Sequence, residues 1–279
     1  MTTHAAPRGA PARVVAADWS GAREPAGGLA VAAVEGDARG GVRVELAVPA
    51  SREEAVAGLV AAVRRGGCAV GLDFAFSYPA WFVRRERCAD APAFWARVAA
   101  RGGRWLDDAP APFSRSQLGR AAAEAAEGGG WPLFRPTERA VAGKRVTPKS
   151  VFQIGGNGQV GMASVRGMPY LPILRAAGAA VWPFDEPAAG QPTVVEIYPR
   201  VLYGDDVVKG DRDARTAYLA REHAHLSAES LDQAVANDHA FDAVTSALAM
   251  WKHRAALAAL PPARDDAERL EGRIWTPDA

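Results

Sequence analysis

Arg13-Val14-Val15-Ala16-Ala17-Asp18-Trp19-Ser20-Gly21 is the stretch on which the reading of this chain turns. Val14 to Ala17 is the short apolar run of a central β-strand, and Ser20-Gly21 supplies the turn that ends it. Asp18 stands where the run stops, and a carboxylate at the end of a buried strand costs stability unless something uses it. A turn-starting aspartate is the plainer reading of that residue alone. Three further acids in comparable positions change the balance.

Working outward, Leu29 to Val34 reads as a second strand, and Val42 to Val48 alternates apolar and polar residues as a half-buried third strand does. Short turns between them predict an antiparallel meander. Ser51-Arg52-Glu53-Glu54 has the form of a capping box, the helix continues through Val56, Leu59, Val60 and Val63, and Gly66-Gly67 ends it. Cys68 to Phe74 is a fourth strand, apolar and carrying Asp73 near its end. A helical crossover is what a strand parallel to the first requires.

Residues 78–192 have a different texture, rich in Pro, Gly and Trp, and read as a long insertion with helical pieces near 79–101 and 114–127. Thr193 to Pro199 returns to strand grammar and contains Glu196. A polar helix is expected from Asp211 to Leu226, a long one from Leu231 to Leu260, and a closing strand near 272–277. The last long helix bears Asp238, His239 and Asp242, with the two aspartates four apart on neighbouring turns.

The chain has 279 residues, 49% of them hydrophobic and 23% charged, which suits one large domain with an insertion. Met1 to Ala12 reads as a loose tail rather than a signal peptide. Cys68 and Cys88 give neither a disulfide framework nor zinc spacing, so a reducing, cytoplasmic setting is expected. No apolar run reaches 18 residues, so no membrane span is expected. Residues 81–175 carry fifteen basic and seven acidic side chains, net +8, against ten and seventeen, net −7, in residues 176–279. A basic middle suits an anionic partner, and arginines among tryptophans suit phosphate contact with base stacking. An ordinary subdomain with snorkelling arginines fits the same composition.

Asp18, Asp73, Glu196 and Asp242 come from three strand-like segments and one helix. Converging carboxylates repel one another unless a cation neutralises them, and hard oxygen donors favour Mg²⁺ or Mn²⁺. Two such ions suit phosphodiester hydrolysis. Other patterns are weaker. Gly156-Asn157-Gly158-Gln159-Val160-Gly161 matches a dinucleotide fingerprint, but Pro169 and Pro172 interrupt the helix expected next, so a Gly-rich loop near the acids is the preferred reading. His223 and His225 are two apart and share no helical face, Ser164 lies in no nucleophile elbow, and Cys68 reads as a small buried hydrophobe.

The order of elements and four motifs resemble the RNase H-like superfamily of nucleases, resolvases and integrases, and within it an uncharacterised family described as predicted nucleases. The motifs are Ala17-Asp18-Trp19-Ser20-Gly21, Gly71-Leu72-Asp73-Phe74, Val195-Glu196-Ile197-Tyr198-Pro199 and Asp238-His239-Ala240-Phe241-Asp242-Ala243, with Ser150 to Gly161 as further likeness. The resemblance implies a mixed five-stranded sheet flanked by helices, with acids on strands one and four and on a late helix. It implies a metal-dependent nuclease. Asp18, Asp73, Glu196 and Asp242 would be its catalytic and metal-binding acids. Asp238 and His239 would be at the metal rim, and Ser20, Lys149, Gln153, Asn157 and Arg166 would be against the nucleic acid. The long insertion departs from the pattern. Two rivals remain: a nucleotide phosphotransferase of the actin-like kinase type, which usually needs a second half with its own Gly-rich phosphate loop, where this chain shows one half unless the 153–161 loop stands in, and a non-enzymatic adaptor keeping the fold.

Overall fold

The computed structural model describes residues 9–25, 27–37, 41–116, 132–142, 146–156, 159–204 and 207–278. The expected tail before residue 9, most of the helix expected over 114–127, and Asn157 lie outside the described residues.

Strands β1 (Arg13–Asp18), β2 (Ala30–Gly36) and β3 (Val42–Ala47) form the expected antiparallel meander. Helix α1 (Arg52–Arg65) then carries the chain to β4 (Cys68–Asp73), which lies parallel to β1. Ser51 caps α1 by accepting from the Glu54 amide at 3.1 Å, and Glu54 reaches back to the Ala50 amide at 2.8 Å. Gly66 closes the helix at φ 81°, a conformation that favours glycine.

Helices α2 (Ala80–Arg85), α3 (Ala91–Asp108), α4 (Pro136–Ala142), α5 (Val160–Gly167) and α6 (Leu171–Ala176) follow, and then β5 (Ala180–Val181) and β6 (Thr193–Glu196). The sheet has six strands in the order β3-β2-β1-β4-β6-β5, where five were expected. The extra strand is two residues long and comes from the segment read as an insertion. That segment is no appendage. Tyr78, Phe82, Phe94, Trp95, Trp105 and Phe152 are buried in the same apolar layer as Val15, Val70 and Leu59.

The chain ends with α7 (Pro199–Tyr203), α8 (Arg212–Glu222), α9 (Ala228–Ala234), α10 (Asp238–Lys252), α11 (Arg254–Ala258) and α12 (Asp266–Glu271). The single helix expected over 231–260 is therefore three. Asn237 breaks it, because its side chain accepts from the Ala240 amide at 2.8 Å and starts a new helix as an N-cap. The closing segment makes one bridge, Ile274 beside Glu196, rather than a strand.

Side chains alternate between the two faces of a sheet, so register decides which layer each residue enters. Val15, Ala17, Val70, Leu72 and Val194 face the layer of α1, α3 and α5. Val14, Ala16, Ala69 and Val195 face the layer of α10. Gly71 belongs to this second set, being level with Ala16 and Val195. A Cβ there would lie 2.5 Å from Met250 Sδ and 2.9 Å from Ile197 Cγ2. The glycine lets α10 sit down on β4, so Gly71→Ala should cost about 1–3 kcal/mol through overpacking, measured by urea unfolding. An unchanged midpoint would mean that α10 has room to lift.

Candidate active site at the carboxyl end of the sheet

Parallel register sets Asp18 directly beside Asp73 at the ends of β1 and β4, and both face α10. The first turn of that helix brings Asp238, His239 and Asp242 to the same end. Electrostatics show the convergence: the Asp73 carboxyl is pushed well up by burial and by the carboxylates of Asp18 and Asp242, and it shares a hydrogen bond with Asp18. Asp73 keeps some accessible surface only where a cavity opens on it.

That cavity, of about 1110 Å³, is lined by Asp18, Ser20, Asp73, Asp238, His239 and Lys209, with Lys149 and Arg200 among the remaining wall residues. His239 Nδ1 bonds Asp18 Oδ2, and the carboxylate raises the imidazole above its ordinary value. Asp242 is almost wholly buried; Tyr203 donates to its Oδ1 at 2.8 Å and Lys209 Nζ bonds its Oδ2. Burial raises the Asp242 carboxyl while Lys209 pulls it down, and the neighbouring acids keep the ammonium charged. Asp238 is more open and stands 3.9 Å from His239 Nε2.

Glu196 is the correction. It is level with Leu72, not Asp73, so its side chain leaves the sheet on the opposite face from Asp18 and Asp73. There it is bound by Arg135, at 2.9 Å and 2.5 Å from Nη1 and Nη2, and by the Phe76 amide at 2.9 Å. Its carboxylate touches the cavity wall, but an arginine already neutralises it.

The expected substrate contacts divide. Ser20 and Lys149 line the cavity. Gln153 is fully buried and donates to Gly155 O at 3.1 Å, because the 150–154 segment packs as core. Arg166 turns its guanidinium to Gly21 O instead of the cavity. Ser164 is structural: it accepts from the Ala75 amide at 3.0 Å and donates to Val160 O at 2.8 Å.

Sequence reasoning missed Lys209, Tyr203 and the roles of Arg135 and Glu138. Nothing in Val207-Val208-Lys209-Gly210 marks the lysine. Arg135-Pro136-Thr137-Glu138 did carry a signal, since Pro at the first helical position with an acid two residues on announces a helix start. Glu138 accepts from the Arg135 amide at 2.9 Å.

Asp18, Asp73 and Asp242 offer the hard oxygen donors that Mg²⁺ or Mn²⁺ prefers. Among the described residues no three His, Cys, Asp or Glu are gathered as a finished ligand set; Lys209 and His239 provide the positive charge instead. Asp73 makes no ion pair of its own among the described residues; its raised carboxyl shares a hydrogen bond with Asp18. The fold and site together define a mixed α/β protein with three carboxylates on one face at the carboxyl end of its sheet. Compared with known proteins, the chain matches no family model, no curated protein and no solved structure. Among the described residues no helix is long and apolar enough to cross a membrane.

Proposed function

We propose that this protein is a metal-dependent nuclease of the RNase H-like class, acting on phosphodiester bonds of nucleic acid at Asp18, Asp73 and Asp242. The observation that carries the reading is the in-register pair Asp18 and Asp73 on the face that α10 covers with Asp242. The mixed sheet, with acids at the ends of β1 and β4 and on the late helix α10, supports the reading.

Asp18, Asp73 and Asp242 would hold Mg²⁺ or Mn²⁺. When bound, the ions would supply an activated water and offset charge on the phosphoryl oxygens. The chain's own residues have separate tasks. Tyr203 orients Asp242 through its hydroxyl. Asp18 fixes the His239 ring through Nδ1, leaving Nε2 toward Asp238 and the cavity. Raised by its bond to that carboxylate, the His239 imidazole is shifted toward its protonated form and can deliver a proton to a leaving oxygen. Lys149 and Arg200, on the wall, suit the phosphates on either side.

Calorimetric titration of Mn²⁺ tests this without a substrate. Wild type should bind, and Asp18→Asn and Asp242→Asn should each weaken binding by at least tenfold. The ion pairs of Lys209 and His239 favour a second reading, an adaptor in which these cations take the place of metal for good. Lys209→Ala separates the two: a nuclease site gains Mn²⁺ affinity when the ammonium goes, whereas heat-silent titrations of wild type and this variant, with and without a short DNA duplex, would leave the adaptor.

A further inference from the structure

The loop after Asp18 is fixed from behind by two arginines. Arg52 Nη2 donates to Ser20 O at 2.7 Å and to Ala22 O, and Arg166 Nη1 donates to Gly21 O. Three successive carbonyls are thus drawn to one side by guanidiniums from α1 and α5. A trans peptide carries its N–H opposite its C=O, so the amides of Gly21, Ala22 and Arg23 are turned the other way. The Ala22 amide is taken by Ser20 Oγ at 3.1 Å. Among the described residues nothing accepts from the Ser20 and Gly21 amides. Ser20, Gly21 and Ala22 all line the cavity that holds the acids.

The charge behind this loop is unusual. Arg52 is 8% exposed, and neither it nor Arg166 makes an ion pair among the described residues. Each is desolvated, and Arg52 and Arg23 disfavour the Arg166 cation further. Two like charges held against carbonyls cost stability, offset in part by the field of Glu53 on Arg52 and of Asp107 on Arg166. Gly21 has no room for a side chain, since a Cβ would lie 2.8 Å from Ala163 N and 2.9 Å from Met162 Cβ. The loop is therefore clamped by arginines and pressed against α5, and of the amides turned away from the guanidiniums Ala22's is taken by Ser20 Oγ while Gly21's is free among the described residues.

We propose that the Ser20–Ala22 loop is a phosphate seat, and that Arg52 is a positioning residue that holds the Ser20 carbonyl away so that the Gly21 amide can bind a phosphate oxygen. The inference deepens the nuclease reading, on which it rests for the identity of the phosphate as one flanking the bond to be cut. Arg166 then anchors the next peptide, through Gly21 O, rather than touching the phosphate. The seat needs no metal, because backbone dipoles and the guanidinium field supply the attraction.

The test uses the full chain in EDTA, with inorganic phosphate as the probe and ¹H–¹⁵N spectra as the readout. In wild type the Gly21 amide should shift in a saturable manner. In Arg52→Met that shift should need at least fivefold more phosphate, while Mn²⁺ affinity stays within twofold of wild type. Arg52→Lys, which keeps the charge but can reach only one carbonyl, should fall between them. An unmoved Gly21 amide at high phosphate in wild type would overturn the seat, and a wild-type shift retained in a folded Arg52→Met would overturn the positioning role. Absence of Mn²⁺ binding with the phosphate shifts intact would sink the metal reading and leave the seat standing.

Discussion

Arg135→Met is expected to lower the melting temperature by roughly 6–15 °C, the largest stability loss foreseen for any single substitution in the described residues. The guanidinium is 1% exposed, and four of its five N–H donors are used. It bonds both oxygens of Glu196, it reaches Glu138 Oε1 through Nε at 3.0 Å, and it donates to Glu271 O at 2.9 Å. Truncation leaves the Glu196 carboxylate buried without a counter-charge, which costs about 3–5 kcal/mol, as breaking a buried pair does. Burial already pushes the Glu138 carboxyl up to about 7 even with the arginine present, so Glu138 escapes by taking a proton. Glu196 has the Phe76 amide alone to fall back on. Removing both charges, in Arg135→Met with Glu196→Met, should recover at least half of the loss, since a buried pair often does no better than apolar residues of similar volume. Thermal melts followed by circular dichroism decide it. A single variant melting within 2 °C of wild type would mean that the pair contributes nothing. Glu196→Gln should likewise destabilise while leaving Mn²⁺ affinity in place, which separates its part from that of the three aspartates.

Asp73→Asn should move stability in the other direction and Mn²⁺ binding to nothing. Asp73 sits against two other carboxylates, and its carboxyl is raised well above the usual range. A carboxyl raised in the folded state favours folding while it is protonated in both states. That contribution disappears as pH climbs from its ordinary value of 3.8 through the folded one. Asparagine keeps the shape, donates to Asp18 without needing a proton, and does not titrate. The variant should therefore match wild type near pH 4 and exceed it increasingly toward pH 8, by about 1–2 kcal/mol in metal-free buffer. Saturating Mn²⁺ should reverse the order, because only wild type gains from the ion. A variant less stable than wild type at pH 8 in EDTA would show that Asp73 is held by something other than its repelling neighbours.

Much of this was legible in the residues. The capping box of α1, its glycine stop, the meander and the two strand-end aspartates all follow from local chemistry, and local chemistry is what a sequence displays. Glu196 was misread because its face depends on how β6 aligns with β4, and a shift of one residue would have put it beside Asp73. No pattern within Thr193–Glu196 carries that alignment. Lys209 and Arg135 were beyond reach for a related reason: each is defined by a partner 33 or 61 positions away. The long helix expected over 231–260 failed at two places, at Asn237, whose capping oxygen starts α10, and at His253, between α10 and α11. The segment 78–192 looked foreign because Pro, Gly and Trp thicken there, although its aromatic residues, several of them at helical spacing on α3, pack into the same core.

The spans across which these contacts reach also bear on how the protein is made. Asp18 meets His239 across 221 positions, and Ala80 meets Glu271 across 191. A chain emerging from the ribosome has completed the meander and α1 long before either partner exists. Until α10 arrives, two aspartates lie side by side at the end of an uncovered sheet, and until Glu196 follows it Arg135 lacks the carboxylate it grips. The nascent chain therefore keeps an apolar face open and charges unmatched until α10 is made. It has one late step in which helix, acids and counter-charges close together, and ribosome-bound chains ending before residue 238 should be the forms that chaperones hold.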